Sequence, residues 1–316
     1  MPNSFLPQLA ARAGGIYERY GLAVDLVDPA PGPTTVAALA GGDYDVCQTS
    51  VPYYLWARDE HPDVDARFVF MLSRRTHMTA FVVEDRPAAH GRPIRSVTDL
   101  AGASLAMRTV PAPGRDRLKL RMFHAHESRL ARDYWALLGR LGLEAGPGID
   151  VGEQSALEAM LAGDADVAVE WVELGVGLRA SAAARGLSIR SFSFADAGVP
   201  GYLNGFVAGD AIRERPEALG RFVAALRDAV MAVRSDPGPA LDLLARELPD
   251  RDRESVLERW RLGEPAMFVD ENVGSVDAAA WEATLDYHVA THGTRPFDPA
   301  TAFDAGPSEW ARLSRK

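Results

Sequence analysis

Two stretches of the chain, residues 8–47 and 128–169, repeat one order of apolar and polar positions. In each, a helical pattern (8–20 and 128–141) is followed by a Gly-Leu pair, a short apolar strand, a second helix and a second strand. Leu39-Ala40-Gly41 of the first stretch recurs as Leu161-Ala162-Gly163 in the second. Helices that alternate with short apolar strands are typical of parallel α/β sheets. The pattern therefore predicts two similar α/β lobes, whose repeated strands lie at 24–27, 44–47, 149–151 and 165–169.

Outside the repeats, apolar runs predict further strands, and the chain reads as helical from Pro216 to its end. We expect lobe one to be discontinuous, formed by residues 1–78 and 196–316 with C-terminal packing helices, and lobe two to be formed by 79–195. Two crossings between lobes make a hinge, and α/β sheets bind ligands at the carboxyl ends of their strands. The additional strands are predicted at 68–72, 80–83 and 104–107, and the chain then passes through the segments 191–194 and 201–207.

Composition narrows the class of protein. The 316 residues suit two globular lobes, and the net charge of −10 without a basic stripe argues against a nucleic-acid partner. A lone cysteine excludes an intrachain disulfide and a cysteine-based zinc cluster. The sequence has no apolar run long enough for a membrane span and no signal-peptide pattern at its start. We expect a cytoplasmic protein, or a periplasmic or cell-surface one if the start is truncated.

Several segments, in this order and spacing, resemble the type II periplasmic-binding-protein superfamily, in particular its sulfonate, nitrate, taurine and thiamine-precursor binding group. The resemblance implies two Rossmann-like lobes with a hinge and an inter-lobe cleft. It also implies a small-molecule ligand in that cleft, an ABC permease as partner, and no cofactor. The segments that carry it are 5–17, 21–27, 41–50, 93–102, 161–171 and 212–218.

Candidate binding residues follow the predicted strand ends. After the first repeat, the resemblance implies that the loop starting at Ser50 and the helix after it offer a hydroxyl and backbone N–H groups to a polar or anionic ligand. The alternative for Ser50 is a helix N-cap. Guanidinium groups suit carboxylates and sulfonates, and aromatic rings suit planar ligands. The predicted ligand-binding residues are Phe5, Ser50, Val51, Pro52, Tyr53, Arg74, Arg108, His124, Glu127, Trp171, Tyr202 and Asn204.

Two stretches suggest further chemistry. His124 and His126 would point the same way on an extended segment before the lobe-two helix, but without a third convergent ligand we predict no metal site. Cys47 lies at a strand end beside the expected cleft and is either a buried small hydrophobe or a nucleophile that a neighbouring His77 activates.

Two functions follow from this sequence. The first is a solute-binding protein that closes over a small organic anion or heteroaromatic ligand, for an ABC importer. The second is a cytosolic enzyme on the same scaffold, a lyase, desulfinase or decarboxylase of an aromatic or cyclic acid, with Cys47, His77 and His126 as catalytic residues. The whole-chain resemblance favours the binding protein.

Overall fold

The computed structural model describes residues 5–27, 33–107, 117–152 and 154–313, without the side chains of 33–34, 117–128 and 311–313. The chain divides into two compact units. Unit 1 comprises Met1–Arg75, Pro200–Val289 and Gly293–Lys316, and unit 2 comprises Thr76–Val199 and Ala290–His292. Within the described ranges, no helix is long and apolar enough to cross a membrane.

The strands and helices alternate along the first two thirds of the chain, and helices dominate the last third. The strands are β1 (Val46–Ser50), β2 (Arg67–Ser73), β3 (Met78–Val83), β4 (Leu105–Met107), β5 (Gly148–Asp150), β6 (Val167–Trp171), β7 (Ile189–Ser193) and β8 (Asn204–Ala208). The helices are α1 (Leu6–Ala13), α2 (Ile16–Arg19), α3 (Pro33–Ala40), α4 (Val51–Glu60), α5 (Arg117–Arg140), α6 (Ala156–Ala162), α7 (Gly175–Ala183), α8 (Asp210–Arg213), α9 (Pro216–Ser235), α10 (Gly238–Glu247), α11 (Arg253–Met267), α12 (Ala278–His292) and α13 (Gly306–Leu313). Short 3-10 helices form at Val97–Leu100, Val172–Leu174 and Pro299–Thr301.

The unit 1 sheet has the order β1-β8-β2, and β8 runs antiparallel to both neighbours. The expectation of a purely parallel sheet is therefore wrong here, because β8 enters the sheet from a distant part of the chain and separates β1 from β2. The predicted strand at 24–27 is also wrong: Leu22–Val27 forms no strand. Helices α1, α9 and α10 cover one face of this sheet with a buried apolar core.

The unit 2 sheet has the order β5-β4-β6-β3-β7. Strands β4, β5 and β6 pair in parallel, as expected for the second repeat, whereas β3 is antiparallel to both β6 and β7. Helices α6 and α7 pack an apolar cluster around Phe81 and Met160 against this sheet. The two sheets with their covering helices are the mixed α/β architecture that the sequence pattern predicts.

Two predicted helices have different bounds in the structure. The helix expected over 8–20 divides into α1 and α2, because Gly15 adopts the left-handed conformation (φ +61°) between them. The helix expected over 128–141 begins earlier, at Arg117. The segment before residue 128 is therefore helical rather than extended, which bears directly on the histidines within it.

Candidate functional site

Three polar side chains meet at one end of the unit 1 sheet. Ser50, the last residue of β1, lies opposite Asn204, the first residue of β8, and Asn204 also lies opposite Ser73 at the end of β2. The Ser73 hydroxyl donates to Oδ1 of Asn204 at 3.3 Å. Because β8 is antiparallel to both neighbours, its beginning coincides with the ends of both flanking strands. The fold thus gathers hydroxyl and amide groups from positions up to 154 residues apart.

A pair of glutamine amides extends this polar group. Gln8 of α1 is only 4% exposed, and its Nε2 donates to Oε1 of Gln48 on β1 at 2.7 Å. Gln48 and Ser50 are two residues apart on one strand and therefore face the same side of the sheet. We call Gln8, Gln48, Ser50, Ser73 and Asn204 the strand-end cluster. All of its groups are neutral hydrogen-bonding groups.

Sequence reasoning found Ser50 and Asn204 but missed the other members of this cluster. A signal for Gln8 exists in the sequence, since this polar residue occupies the apolar face of α1 between Leu6 and Leu9. Buried amides are kept where they have hydrogen-bond partners, so a glutamine at such a position indicates a polar partner in the fold. The partner, Gln48, lies 40 residues away and cannot be read from the local pattern.

The backbone N–H groups at the beginning of α4 are hydrogen-bonded to other groups of unit 1. Ser50 is the N-cap, and its hydroxyl oxygen accepts the N–H of Tyr53 at 3.3 Å. The N–H of Val51 donates to the carbonyl of Leu203 at 2.7 Å, and Pro52 has no N–H. The backbone donors expected for a ligand are therefore engaged, and side chains remain the groups that this helix start presents. The role of Ser50, Val51, Pro52 and Tyr53 toward a ligand remains a prediction.

Arg74, which follows β2, is held by a carboxylate. Its guanidinium makes a bidentate ion pair with Asp270, at 2.5 and 2.9 Å, and also donates to the carbonyl oxygen of Asn272 at 3.2 Å. The hydrogen bond from Arg74 holds the pKa of the Asp270 carboxyl below its usual range. This ion pair fastens the segment after α11 to the end of β2, and contact of the Arg74 guanidinium with an anionic ligand remains a prediction.

Two predicted aromatic contacts lie in the core of unit 1. Tyr202 is buried, its ring stacks on Trp281 with centroids 6.1 Å apart, and its hydroxyl accepts the N–H of Asp277 at 3.0 Å. Phe5 is the N-cap of α1 and packs its half-buried ring against the core beneath that helix. Both side chains have a structural role, and their contact with a ligand remains a prediction.

In unit 2, an imidazole and a carboxylate meet where β6 ends and β3 begins. His77 Nδ1 lies 2.5 Å from Oε1 of Glu173, and the His77 side chain is 2% exposed. The N–H of Val172 donates to the His77 carbonyl at 2.9 Å, which places the turn bearing Glu173 beside the imidazole. Trp171 lies next to this pair, opposite Met78 in the sheet. Glu173 was not among the residues that the sequence pattern selected, and contact of Trp171 with a ligand remains a prediction.

The remaining candidate residues lie in or next to segments that the structure does not describe in full. Arg108 lies outside the described residues. His124, His126 and Glu127 lie within α5, and their side chains are outside the described part. The expectation of an extended segment at these histidines is wrong, because α5 already begins at Arg117. Among the described residues, no group of three His, Cys, Asp or Glu side chains is placed to hold a metal ion.

Cys47, the nucleophile of the enzyme hypothesis, is buried near the beginning of β1. The prediction that it lies at a strand end is wrong, because β1 continues to Ser50. Cys47 is 6% exposed, faces Val207 of β8 across the sheet and packs in an apolar cluster with Leu39 and Tyr54. Burial raises the pKa of its thiol to about 12. Nucleophilic cysteines need a thiolate, which a lowered pKa provides. The local environment therefore keeps Cys47 protonated.

This burial predicts a slow reaction of Cys47 with Ellman's reagent. At pH 8 we expect the native protein to react at least about 100-fold more slowly than the protein in guanidinium, because its thiolate population is small. As a control, a Cys47→Ala/Ala180→Cys variant carries its cysteine at an exposed position of α7 and should react rapidly in the native state. Rapid labelling of native wild-type protein would contradict the buried placement.

Comparisons with known proteins agree with this architecture. Residues 147–240 match a family model described as NMT1/THI5 like. The periplasmic aliphatic sulphonate binding protein SsuA from Escherichia coli superposes with a TM-score of 0.68 at 16% identity, over 96% of this chain and 90% of that one. The alkanesulfonate-binding protein SsuA from Xanthomonas axonopodis pv. citri, bound to MOPS, gives 0.58 at 17% identity, over 93% and 92% of the two chains.

A third similar solved structure contains a bound sulfinic acid. A DSZB variant in complex with biphenyl-2-sulfinic acid gives a TM-score of 0.61 at 15% identity, over 98% of this chain and 96% of that one. No curated protein sequence matches the chain significantly. These similarities confirm the periplasmic-binding-protein fold and the suspected resemblance.

Proposed function

We propose that this chain is a solute-binding protein that takes a small organic anion or a heteroaromatic molecule and serves an ABC importer. The observation that carries the proposal is the strand-end cluster of unit 1, in a chain with the periplasmic-binding-protein fold. The similarity to sulfonate-binding proteins supports the anionic ligand class, a membrane permease as partner and a periplasmic location.

The chemistry of the strand-end cluster fits reversible binding. Its hydroxyl and amide groups hydrogen-bond oxygens or ring nitrogens of a ligand without placing a charge beside it. Each such hydrogen bond contributes about 0.5–1.5 kcal/mol net, so several together give affinity that still permits release. The buried Gln8 amide holds Gln48 in place before a ligand arrives, which lowers the entropic cost of binding.

The enzyme alternative is not favoured. It assigned the chemical step to Cys47, and the apolar surroundings of that thiol raise its pKa instead of lowering it. A binding protein needs no activated nucleophile at this position. The buried Cys47 thiol, packed in an apolar cluster beside the sheet, is therefore consistent with the proposed function. The hinge closure expected from the sequence remains a prediction.

The proposal predicts that Asn204→Ala weakens ligand binding by about tenfold or more, because the amide at the centre of the strand-end cluster is lost. Isothermal titration with a panel of alkanesulfonates, arenesulfonates and N-heterocycles would measure the affinity of each variant. Asn272→Ala serves as the matched control, since this asparagine of unit 1 has an exposed side chain. Equal affinities of the two variants would contradict the assigned site, and a chemically altered ligand in mass spectra would contradict a purely binding role.

A further inference from the structure

Ser73 holds the amide of Asn204 from the buried side of the unit 1 sheet. It is the last residue of β2 and is 0% exposed, and its hydroxyl lies 3.3 Å from Oδ1 of Asn204. Among the described residues, this hydroxyl has no other hydrogen-bond acceptor. A buried O–H group is retained where it has an acceptor, so the contact with Asn204 is the one that satisfies Ser73.

This contact determines which end of the Asn204 amide faces away from Ser73. A carboxamide has an oxygen that accepts and an NH2 group that only donates. If the amide were flipped, its nitrogen would face Ser73 and the buried hydroxyl would have no acceptor. The NH2 group is therefore directed away from Ser73. Asn204 is half-buried, and within the described part of the chain its NH2 group has no acceptor and keeps contact with solvent.

Ser50 adds a second donor beside this amide. Ser50 and Asn204 lie directly opposite each other in β1 and β8, which places their Cβ atoms about 4.5–5.5 Å apart on one face of the sheet. The Ser50 oxygen accepts the N–H of Tyr53, whereas its O–H has no acceptor among the residues that the structure describes. This end of the unit 1 sheet thus presents N–H and O–H donors from side chains that stay neutral across the physiological pH range.

We infer that Ser73 turns the NH2 end of Asn204 toward the ligand, so that the ligand meets Asn204 and Ser50 with a hydrogen-bond acceptor. Such an acceptor is a sulfonate or carboxylate oxygen, or a ring nitrogen without a proton. The inference rests on the proposed binding function and narrows its ligand class to molecules whose contacting atom accepts. Asn204 contacts the ligand, and Ser73 is the residue that positions Asn204.

The orientation of the amide makes the site selective. A ligand that directs an N–H group at Asn204 places a donor against a donor and leaves both without a partner. A site built around an oriented hydrogen-bonding group rejects analogues that lack the complementary group much more strongly than an apolar pocket rejects a missing methylene. We therefore expect the protein to prefer an acceptor ligand over a donor ligand of the same shape by about tenfold or more.

Benzothiazole and indole are uncharged probes of nearly equal shape, and the ring nitrogen accepts in the first and donates through its N–H in the second. Isothermal titration of the full chain should show tighter binding of benzothiazole. In Ser73→Ala the amide is free to rotate, so the preference should fall to near parity. In Asn204→Asp the group facing the ligand only accepts, so the preference should reverse in favour of indole. Ser235→Ala, at an exposed position of α9, is the matched control and should retain the preference.

The outcomes separate this inference from the proposed function. Tighter binding of indole to the wild type, or a benzothiazole preference that survives in Ser73→Ala or Asn204→Asp, would overturn the inference while leaving a solute-binding role intact. Circular dichroism shows whether each variant is folded before its binding is compared. If Ser73→Ala does not fold, the result with Asn204→Asp decides.

Benzenesulfonate serves as a third probe, since its oxygens only accept. If it binds and the two heterocycles do not, its affinity should fall in both Ser73→Ala and Asn204→Asp, and an unchanged affinity would overturn the inference alone. Failure of all three probes to bind at millimolar concentration would overturn the inference and count against the proposed function.

Discussion

Replacing Gly274 by alanine should destabilise the protein by about 3 kcal/mol, because the residue has both a left-handed backbone (φ +82°) and no room for a side chain. An added Cβ would lie 2.0 Å from Cε2 of Phe70, whose ring is 1% exposed and packs edge-on against Phe206. The Gly274 carbonyl accepts the N–H of Met71 at 2.9 Å, so the backbone at residue 274 cannot retreat without losing its link to β2.

Gly293→Ala separates the cost of the left-handed backbone from the cost of the clash with Phe70. Gly293 also has a left-handed backbone (φ +67°), but apart from its own neighbours along the chain no atom of the described residues lies within 4 Å of the position of an added Cβ. Its substitution should cost only the conformational penalty, about 1 kcal/mol. Guanidinium unfolding followed by far-UV circular dichroism measures both variants. Equal losses of stability would show that the contact with Phe70 is not the cause of the larger effect.

Asp166→Ala should destabilise unit 2 by about 3 kcal/mol, because one carboxylate oxygen connects two separate segments. Its Oδ2 accepts the N–H and the hydroxyl of Ser104, each at 2.8 Å, and the N–H of Ala89 at 3.1 Å. In return, the N–H of Asp166 donates to the Ser104 hydroxyl oxygen at 3.0 Å. Truncation leaves three donors without this acceptor and frees the entry into β6.

Guanidinium unfolding measures the size of this loss of stability, and hydrogen exchange monitored by mass spectrometry locates it in the fold. Amides of β4 and β6 should exchange faster in Asp166→Ala, whereas the unit 1 sheet should be unchanged. Asp166→Asn keeps an acceptor oxygen without the charge and should lose about half as much stability. The exposed Asp164, two residues earlier, is the matched control, and its alanine variant should stay within about 0.5 kcal/mol of wild type. Unchanged exchange in β4 would contradict the bridging role of Asp166.

The sequence predicts the long buried strands of this fold well. The apolar runs at 68–72 and 80–83 lie within β2 and β3, since strands that are buried on both faces are read as continuous apolar runs. The run at 24–27 has a similar composition but forms no strand. A strand needs a hydrogen-bonding neighbour, and periodicity carries no information about which neighbour is available. The direction of β8 escaped prediction for the same reason.

For the candidate site as well, the sequence indicates local features but not the distant partners of a residue. Ser50 was selected because it follows the first repeated strand, which the local pattern placed at 44–47 and which the structure places at Val46–Ser50. Gln8 and Glu173 were missed because their importance comes from Gln48 and His77, to which each is joined by a single contact across a large sequence separation. The ion-pair partner of Arg74 could not be read from the sequence either: it is Asp270, from a segment 196 residues further along the chain.

Two aspartates at equivalent places in the repeat show what the sequence determines and what only the tertiary structure decides. Asp45 and Asp166 each precede a repeated strand. The sequence by itself determined the repeat and the α/β class, because these follow from apolar burial and the preferences of neighbouring residues. Only the tertiary structure decided their roles: Asp45 makes an exposed ion pair with Arg215, whereas Asp166 ties Ser104 and Ala89 together. Partners depend on which distant segments pack side by side, and that is a property of the whole folded chain.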